Sequence, residues 1–320
     1  MSRYGIENLP YGVFSGADGT RRIGVRLGSR VVDLSPAGGL LAASTLNPLL
    51  AAGRPAWAAA RAEAVRQATS SPGVPLDEVT LHLPFEVADY TDFYSSEHHA
   101  LNTGQILRPQ SPGLTPSWRR LPIGYHGRSA TVVVSGTPVE RPSGQLADGV
   151  FGPSRRLDIE AEVGFVVGVP GRRLRTTDFA GHVFGIVLLN DWSARDIQAF
   201  EYRPLGPFLG KSFATSISPW VVPLEALALG GAEDAVRQVV GAVEAHSYPP
   251  LIRPSRTSSV SGSTTLVAPN PTKSGRRSSR WERAGSTSGT GWVAASTSAT
   301  SATSPPPIAS IEAASTLRKP

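Results

Sequence analysis

The sequence predicts a mainly β fold with some α-helix, arranged as two globular units and a polar tail. Three observations carry this. Short β-branched runs recur through residues 1–245, 33 Gly and 28 Pro punctuate them, and the composition changes abruptly near Tyr248. A chain of 320 residues also has room for about two domains of roughly 150 residues. The boundaries are expected near residues 85 and 250.

Residues 1–85 read as a small β-rich unit. "RIGVRL" and "RVVDL" are two strands joined by a turn at Gly28-Ser29. "RPAWAAARAEAVRQA" predicts a helix, with Pro55 near its start and Ala and Arg favouring helix throughout. "SSPGVPL" is a linker, and "VTLHLPF" (79–85) is expected to begin the next unit. In 86–250, "RSATVVVSG" and "EAEVGFVVGV" have the β-branched enrichment of strands, and "HVFGIVLL" suits a buried one. "SARDIQAFEYRP" predicts a short helix, opened by a capping box of Ser193 and Asp196 and stopped before Pro204. "YTDFYSSEHHA" (90–100) holds two tyrosines, two acids, two serines and two histidines. Neither a half-buried strand nor an amphipathic helix is expected to carry so many titratable and hydroxyl groups.

Residues 251–320 hold 16 serines among Thr, Ala, Pro and Arg, with almost no periodicity. Such a stretch cannot bury enough apolar surface to offset its ordering entropy, so disorder is expected. Two origins fit it: a natural extension, or GC-rich coding DNA read in a shifted frame, which the composition favours. The net charge of +6 belongs to this tail, which carries nine of the 31 Lys and Arg and two of the 25 acids. The globular part is close to neutral, so no nucleic-acid partner is inferred. Absence of cysteine excludes disulfides, thiolate metal sites and cysteine nucleophiles. No run of about 18 apolar residues suggests a membrane span. The N-terminus lacks the apolar core of a secretory signal, so a cytoplasmic location is expected.

"LDIEAEVGF" places Glu160 and Glu162 two residues apart in a predicted strand, hence on one face. A solvated edge strand would tolerate that, and so would a bound cation. Asp191 ends the apolar run of "GIVLLNDWSARD" just before a helix, and Asp92 adds a fourth carboxylate. Four carboxylates without cysteine point to a hard cation, Mg²⁺ or Ca²⁺, rather than zinc. Arg195, Gln198 and Tyr202 stand at i, i+3 and i+7 and share one helix face. Lys211, in a Pro- and Gly-punctuated loop, is equally compatible with an ordinary surface lysine.

"YTDFYSSEHHA", "LPIGYHGRSATVVVSGTPVERPSGQ", "LDIEAEVGFVVG", "VLLNDWSARDIQAFEYRPLGPFLGKSF" and "SPWVVPLEAL" together resemble the fumarylacetoacetate hydrolase family. Within it they are more similar to the branch ending tyrosine and phenylalanine catabolism than to shorter relatives acting on acylpyruvates. The likeness runs to about residue 245. It implies an SH3-like small β-barrel at 1–85, a mixed β-sandwich roll at 86–250, and a homodimer. It also implies metal-dependent hydrolysis of the carbon–carbon bond of a diketo-diacid, fumarylacetoacetate, to fumarate and acetoacetate. By the same resemblance, Asp92, Glu160, Glu162 and Asp191 hold the cation, with Lys211 and Thr215 lining that region. His99 is the catalytic base. Tyr94, Arg108, Tyr125, Gln198 and Tyr202 contact substrate, and Arg195, Gln198 and Lys211 stabilise developing negative charge.

The family continues for well over a hundred residues past the equivalent of Pro250, supplying a glutamate that orients the base and a threonine that contacts substrate. Neither Glu282 nor Glu312 lies in a matching context. Loss of an orienting partner is worth up to about 10⁴-fold in turnover, by analogy with triad dissection. Without the family's closing strands, exposed sheet edges and poor solubility are expected. Two other readings stand beside the enzyme: a non-catalytic homologue whose basic tail attaches to acidic surfaces or nucleic acid, and a related acylpyruvate-type diketone hydrolase.

Overall fold

Strands close in sequence pair first. β1 (Tyr11–Ser15), β2 (Arg21–Leu27) and β3 (Arg30–Asp33) form an antiparallel meander, in register Tyr11↔Val25 and Leu27↔Arg30. Gly28 takes the positive φ of 60° that the predicted turn requires. α1 (Asn47–Ala51) and α2 (Gly53–Ser70) follow. α2 buries Trp57, Ala60, Ala64 and Ala68, one stripe at helical spacing, against a core that includes Ile23, Val25, Val32, Leu49 and Leu50. Trp57 Nε1 donates to Leu49 O at 2.9 Å, satisfying the one polar atom this stripe carries inward. β4 (Val74–Pro75) adds to β3, and β5 (Thr80–His82) adds to β1 in register Val13↔His82. The stretch expected to begin the second unit thus completes the first sheet, because β1 offers it a free edge.

The computed structural model describes residues 4–111, 113–174, 178–228 and 263–269. The second group of elements runs β6 (Val87–Phe93), α3 (Glu97–Leu107), β7 (Gly124–His126), β8 (Val132–Val134), β9 (Ser143–Ala147), β10 (Val150–Pro153) and β11 (Leu157–Val167). Then come α4 (Phe179–His182), β12 (Val183–Ala194), α5 (Arg195–Glu201), α6 (Leu209–Ser212), β13 (Thr215–Ile217), β14 (Trp220–Pro223), α7 (Leu224–Ala228) and β15 (Ser263–Pro269). Among the described residues the main sheet has the order β4-β3-β2-β1-β14-β12-β11-β15-β6-β7, with β5, β8 and β13 branching from it and β9-β10 a separate hairpin. β11 and β12 form its longest ladder, from Leu157↔Ala194 to Val167↔Val183. No helix among the described residues is long and apolar enough to cross a membrane.

Three further expectations change. "YTDFYSSEHHA" is both strand and helix: β6 ends at Phe93, and Ser96 caps α3 by accepting from His99 N at 3.3 Å. Its polar groups divide: Asp92 and His99 are buried at the site, whereas Ser95, Glu97 and His98 are exposed, Glu97 pairing with Arg119. Ser193 is no helix cap but the penultimate residue of β12, its Oγ turned back to Asp191 O at 3.2 Å. Thirdly, seven residues of the stretch expected to be disordered form β15, parallel to β11 and antiparallel to β6. "STTLVAP" is a local β-branched run inside a serine-rich window, and two strand edges flank it. The rest of 251–320 lies outside the described residues, as do Glu282 and Glu312. The chain divides into two units, Met1–Lys273 and Ser274–Pro320, and every element named above falls in the first.

Candidate active site

Sheet parity assembles the site. Residues directly opposite across a ladder share a face, as do residues two apart on one strand. Tyr125 lies opposite Asp92, Asp92 opposite Thr265, and Thr265 opposite Gly164. Gly164, Glu162 and Glu160 alternate along β11; Glu160 lies opposite Asp191, and Asp191 opposite Thr215. Four carboxylates from three strands therefore share one face. That face is inward: Asp92, Glu160, Glu162 and Asp191 are all 4% exposed or less. The alternative of a solvated acidic edge is excluded.

Oxygens of Asp92, Glu162 and Asp191 lie within 4.8 Å of one another. Tyr125 shares its hydroxyl hydrogen between Asp92 Oδ2 at 2.9 Å and Asp191 Oδ2 at 3.0 Å. Glu160 leans away from this trio. Its Oε1 meets Arg195 Nη2 at 2.6 Å, Lys211 Nζ at 2.9 Å and His99 Nε2 at 3.6 Å. Lys211 is buried, not superficial, and bridges Glu160 and Asp191. α6 can bring it there because Gly210 has no side chain: a Cβ would stand 2.8 Å from Gln198 N. Arg195 Nε donates to Asp158 Oδ2 at 2.9 Å, and its Nη1 to Gln198 Oε1 at 3.1 Å, so the predicted helix face is real at its first two positions. Tyr202, the third, follows α5 half-buried, its ring beneath the Arg203 guanidinium at 5.2 Å. Thr215 is buried and hydrogen-bonded to the Tyr90 hydroxyl at 3.1 Å.

His99 is buried on the first turn of α3, its ring edge-on to Tyr94 at 5.3 Å. Tyr94 donates its hydroxyl to Ala100 O at 3.1 Å. Arg108 ends α3, half-buried. Sequence reasoning missed Asp158 and Tyr90. Asp158 had a signal, standing two residues before Glu160 and so on the same face.

The electrostatics separate the acids into two kinds. Burial, then the neighbouring Asp191, pushes Asp92 up to about 7. Burial and the charges of Asp92 and Asp191 push Glu162 well above the usual carboxylate range. Burial raises Asp191 too, against the pull of Lys211. For Glu160 burial is outweighed by Lys211, Arg195 and His99, which hold it at about 2. Burial lowers His99, leaving its imidazole neutral and able to accept a proton near pH 7. Lys211 is raised because Asp191 and Glu160 outweigh its burial. A charged lysine has no lone pair to ligate a metal, so it enters as a counter-charge.

A divalent cation fits the trio. Its donors are all carboxylate oxygens, suited to Mg²⁺ or Ca²⁺, and Asp191 Oδ1 is buried without a hydrogen-bond partner. Burial, with the repulsion between neighbouring carboxylates added to it, raises these groups, and a cation would offset both.

Residues 7–84 match the family described as fumarylacetoacetase N-terminal, and residues 90–243 the one described as fumarylacetoacetate (FAA) hydrolase C-terminal. A fumarylacetoacetase of Caenorhabditis elegans is 43% identical over 285 residues, covering 78% of this chain and 68% of its own. Those of Rattus norvegicus and Homo sapiens are each 45% identical over 261 residues, 71% of this chain. The chain spans 62% of the length of these two mammalian relatives. Among solved structures, a fumarylacetoacetate hydrolase of Exiguobacterium antarcticum gives a TM-score of 0.43 at 20% identity, covering 67% of this chain and 66% of its own.

Proposed function

The chain belongs to the fumarylacetoacetate hydrolase family, and on that premise we propose that its acidic site hydrolyses the carbon–carbon bond of fumarylacetoacetate, giving fumarate and acetoacetate. The observation that carries this reading is the buried trio Asp92, Glu162 and Asp191, with His99 buried nearby against Glu160. Asp92, Glu162 and Asp191 would hold Mg²⁺ or Ca²⁺, with Glu160 and Thr215 at the margin. When bound, the cation supplies Lewis-acid polarisation of the substrate carbonyl and favours the enolate of the leaving fragment.

His99 takes the proton from the attacking water. The water oxygen stays with the fumaryl carbon as a new carboxylate oxygen. The electron pair of the broken bond leaves with the acetoacetate fragment as an enolate, which then gains a proton. Arg195 and Lys211 are held by Asp158, Glu160 and Asp191, so their positive charge is fixed in place before substrate arrives. Tyr94, Arg108, Tyr125, Gln198 and Tyr202 are assigned to the substrate's carboxylates and carbonyls. A cytoplasmic homodimer is part of the same proposal, in line with the family.

A second reading is a chain that binds the cation without turnover. It is favoured by the acid nearest His99, Glu160, being already engaged by Arg195 and Lys211. One assay separates the two. Loss of diketone absorbance with Mg²⁺ or Ca²⁺, arrested by chelator, supports the hydrolase. Cation uptake by calorimetry with no loss of absorbance supports the second. Loss of acylpyruvate absorbance alone would move the substrate to the shorter relatives' class.

A further inference from the structure

β6 brings Asp92 to the site and β11 brings Glu162, yet these strands are not hydrogen-bonded to each other. β15 lies between them, parallel to β11 over Glu162↔Ser263 to Val166↔Val267 and antiparallel to β6 over Thr264↔Phe93 to Pro269↔Val87. On its other edge, among the described residues, β6 pairs only with the three-residue β7. Among the described residues, the backbone ladder joining the β6-β7 pair to the remaining ligand strands therefore runs through β15 alone. Two side-chain hydrogen bonds also cross, from the Tyr125 hydroxyl to Asp191 and between the Tyr90 and Thr215 hydroxyls, but hydroxyls on side chains do not set the register of a strand as a backbone ladder does.

We propose that Ser263–Pro269 is a positioning strand for the carboxylate trio. Its two ladders set Asp92 level with Gly164, so that Asp92 falls on the same face as Glu162, two residues along β11. The inference rests on the reading that this trio holds a cation. Two strand spacings separate β6 from β11, about 9.6 Å, which side chains leaning from both sides can close. A slip of one residue in either ladder would turn Asp92 to the opposite face and dismantle the trio. Thr265 is the central position, opposite Asp92 on one side and Gly164 on the other. β15 lies outside both family matches, which end at 84 and 243, so this chain places a segment of its own beside the matched strands.

The test uses the full chain with Thr265→Pro and Thr265→Val. Proline removes an N–H from a strand paired on both sides, so a ladder bond is lost whichever neighbour it faces. Valine keeps the backbone and suits a strand. Hydrogen exchange of Thr91–Phe93 and calorimetric Mn²⁺ uptake are read together. For Thr265→Pro the expected result is exchange at least about tenfold faster at Thr91–Phe93, with β1–β3 unchanged, and Mn²⁺ affinity down by about 10–100-fold. Thr265→Val should match the unmodified chain in both. Unchanged exchange in Thr265→Pro would overturn the bracing, and faster exchange with unchanged Mn²⁺ affinity would overturn the positioning. An equal loss in Thr265→Val would overturn the backbone ladder as the cause. If the unmodified chain takes up no Mn²⁺, the cation reading fails, and the exchange comparison still decides whether β15 braces β6.

Discussion

The core beneath β1–β3 and the face shared by β6, β11 and β12 are equally buried and opposite in chemistry. Ile23, Val25 and Val32 are 0% exposed, while Glu162, Asp191 and Lys211 are 3% or less. Removal from water favours the first group at about 25 cal/mol per Å² of apolar surface, so every added contact helps. For the second group removal from water is a cost, offset only by opposite charge and hydrogen bonds. The apolar core, which continues from β1–β3 into Phe184, Val187 and Val221, is favoured by its burial, whereas the acidic face is offset by the charges of Lys211 and Arg195. Burial alone says nothing about stability; the sign comes from what is buried.

The sharpest way to break this contrast is Lys211→Met, which leaves Glu160 and Asp191 buried without their shared counter-charge. A loss of about 3–5 kcal/mol is expected by chemical denaturation, partly recovered on adding Mg²⁺. Next comes a pair of variants with opposite signatures. Ile23→Ala should cost about 2–4 kcal/mol and leave cation affinity unchanged in the folded fraction. Glu162→Gln should make the cation-free chain no less stable at pH 8, since it removes a charge disfavoured by burial, and weaken calorimetric Mg²⁺ uptake by at least tenfold. Equal behaviour of the two variants would erase the distinction.

The smallest effect sharpens it by pH. Asp92 is raised from 3.8 to about 7, so the folded chain binds its proton more tightly than the unfolded chain does. That contribution is most favourable below 3.8, declines as pH rises towards 7, and stays lost above it. Glu160, held at about 2, works in the opposite sense only as pH falls below the ordinary 4.5. Thermal melts of cation-free chain should therefore show a lower Tm at pH 8 than at pH 5. Mg²⁺ should raise Tm more at pH 8, and Asp92→Asn should flatten the slope.

Much of this was legible residue by residue. "RIGVRL" and "RVVDL" pair as expected, and the long Ala-rich helix runs two residues past its expected end. The period-two placement of Glu160 and Glu162 holds, and counting one step further back would have added Asp158. The Ser193 cap failed because a local capping pattern was outcompeted by two more residues of ladder, Asp158↔Ser193 and Leu157↔Ala194. β15 was hidden by averaging: composition over seventy residues conceals a seven-residue run whose partners lie far away in sequence.

By itself the sequence determined which side chains share a strand face or a helix face, because those periods are properties of the backbone within a few residues. It also determined the donor chemistry, oxygen and imidazole without sulfur. Only the tertiary structure decided that Asp92 meets Glu162 and Asp191 while Glu160 turns to Arg195 and Lys211. The physical reason is register: Asp92 is placed relative to Glu162 by the pairings Asp92↔Thr265 and Gly164↔Thr265, between residues far apart in sequence, and a single step in either moves a carboxylate from one face to the other.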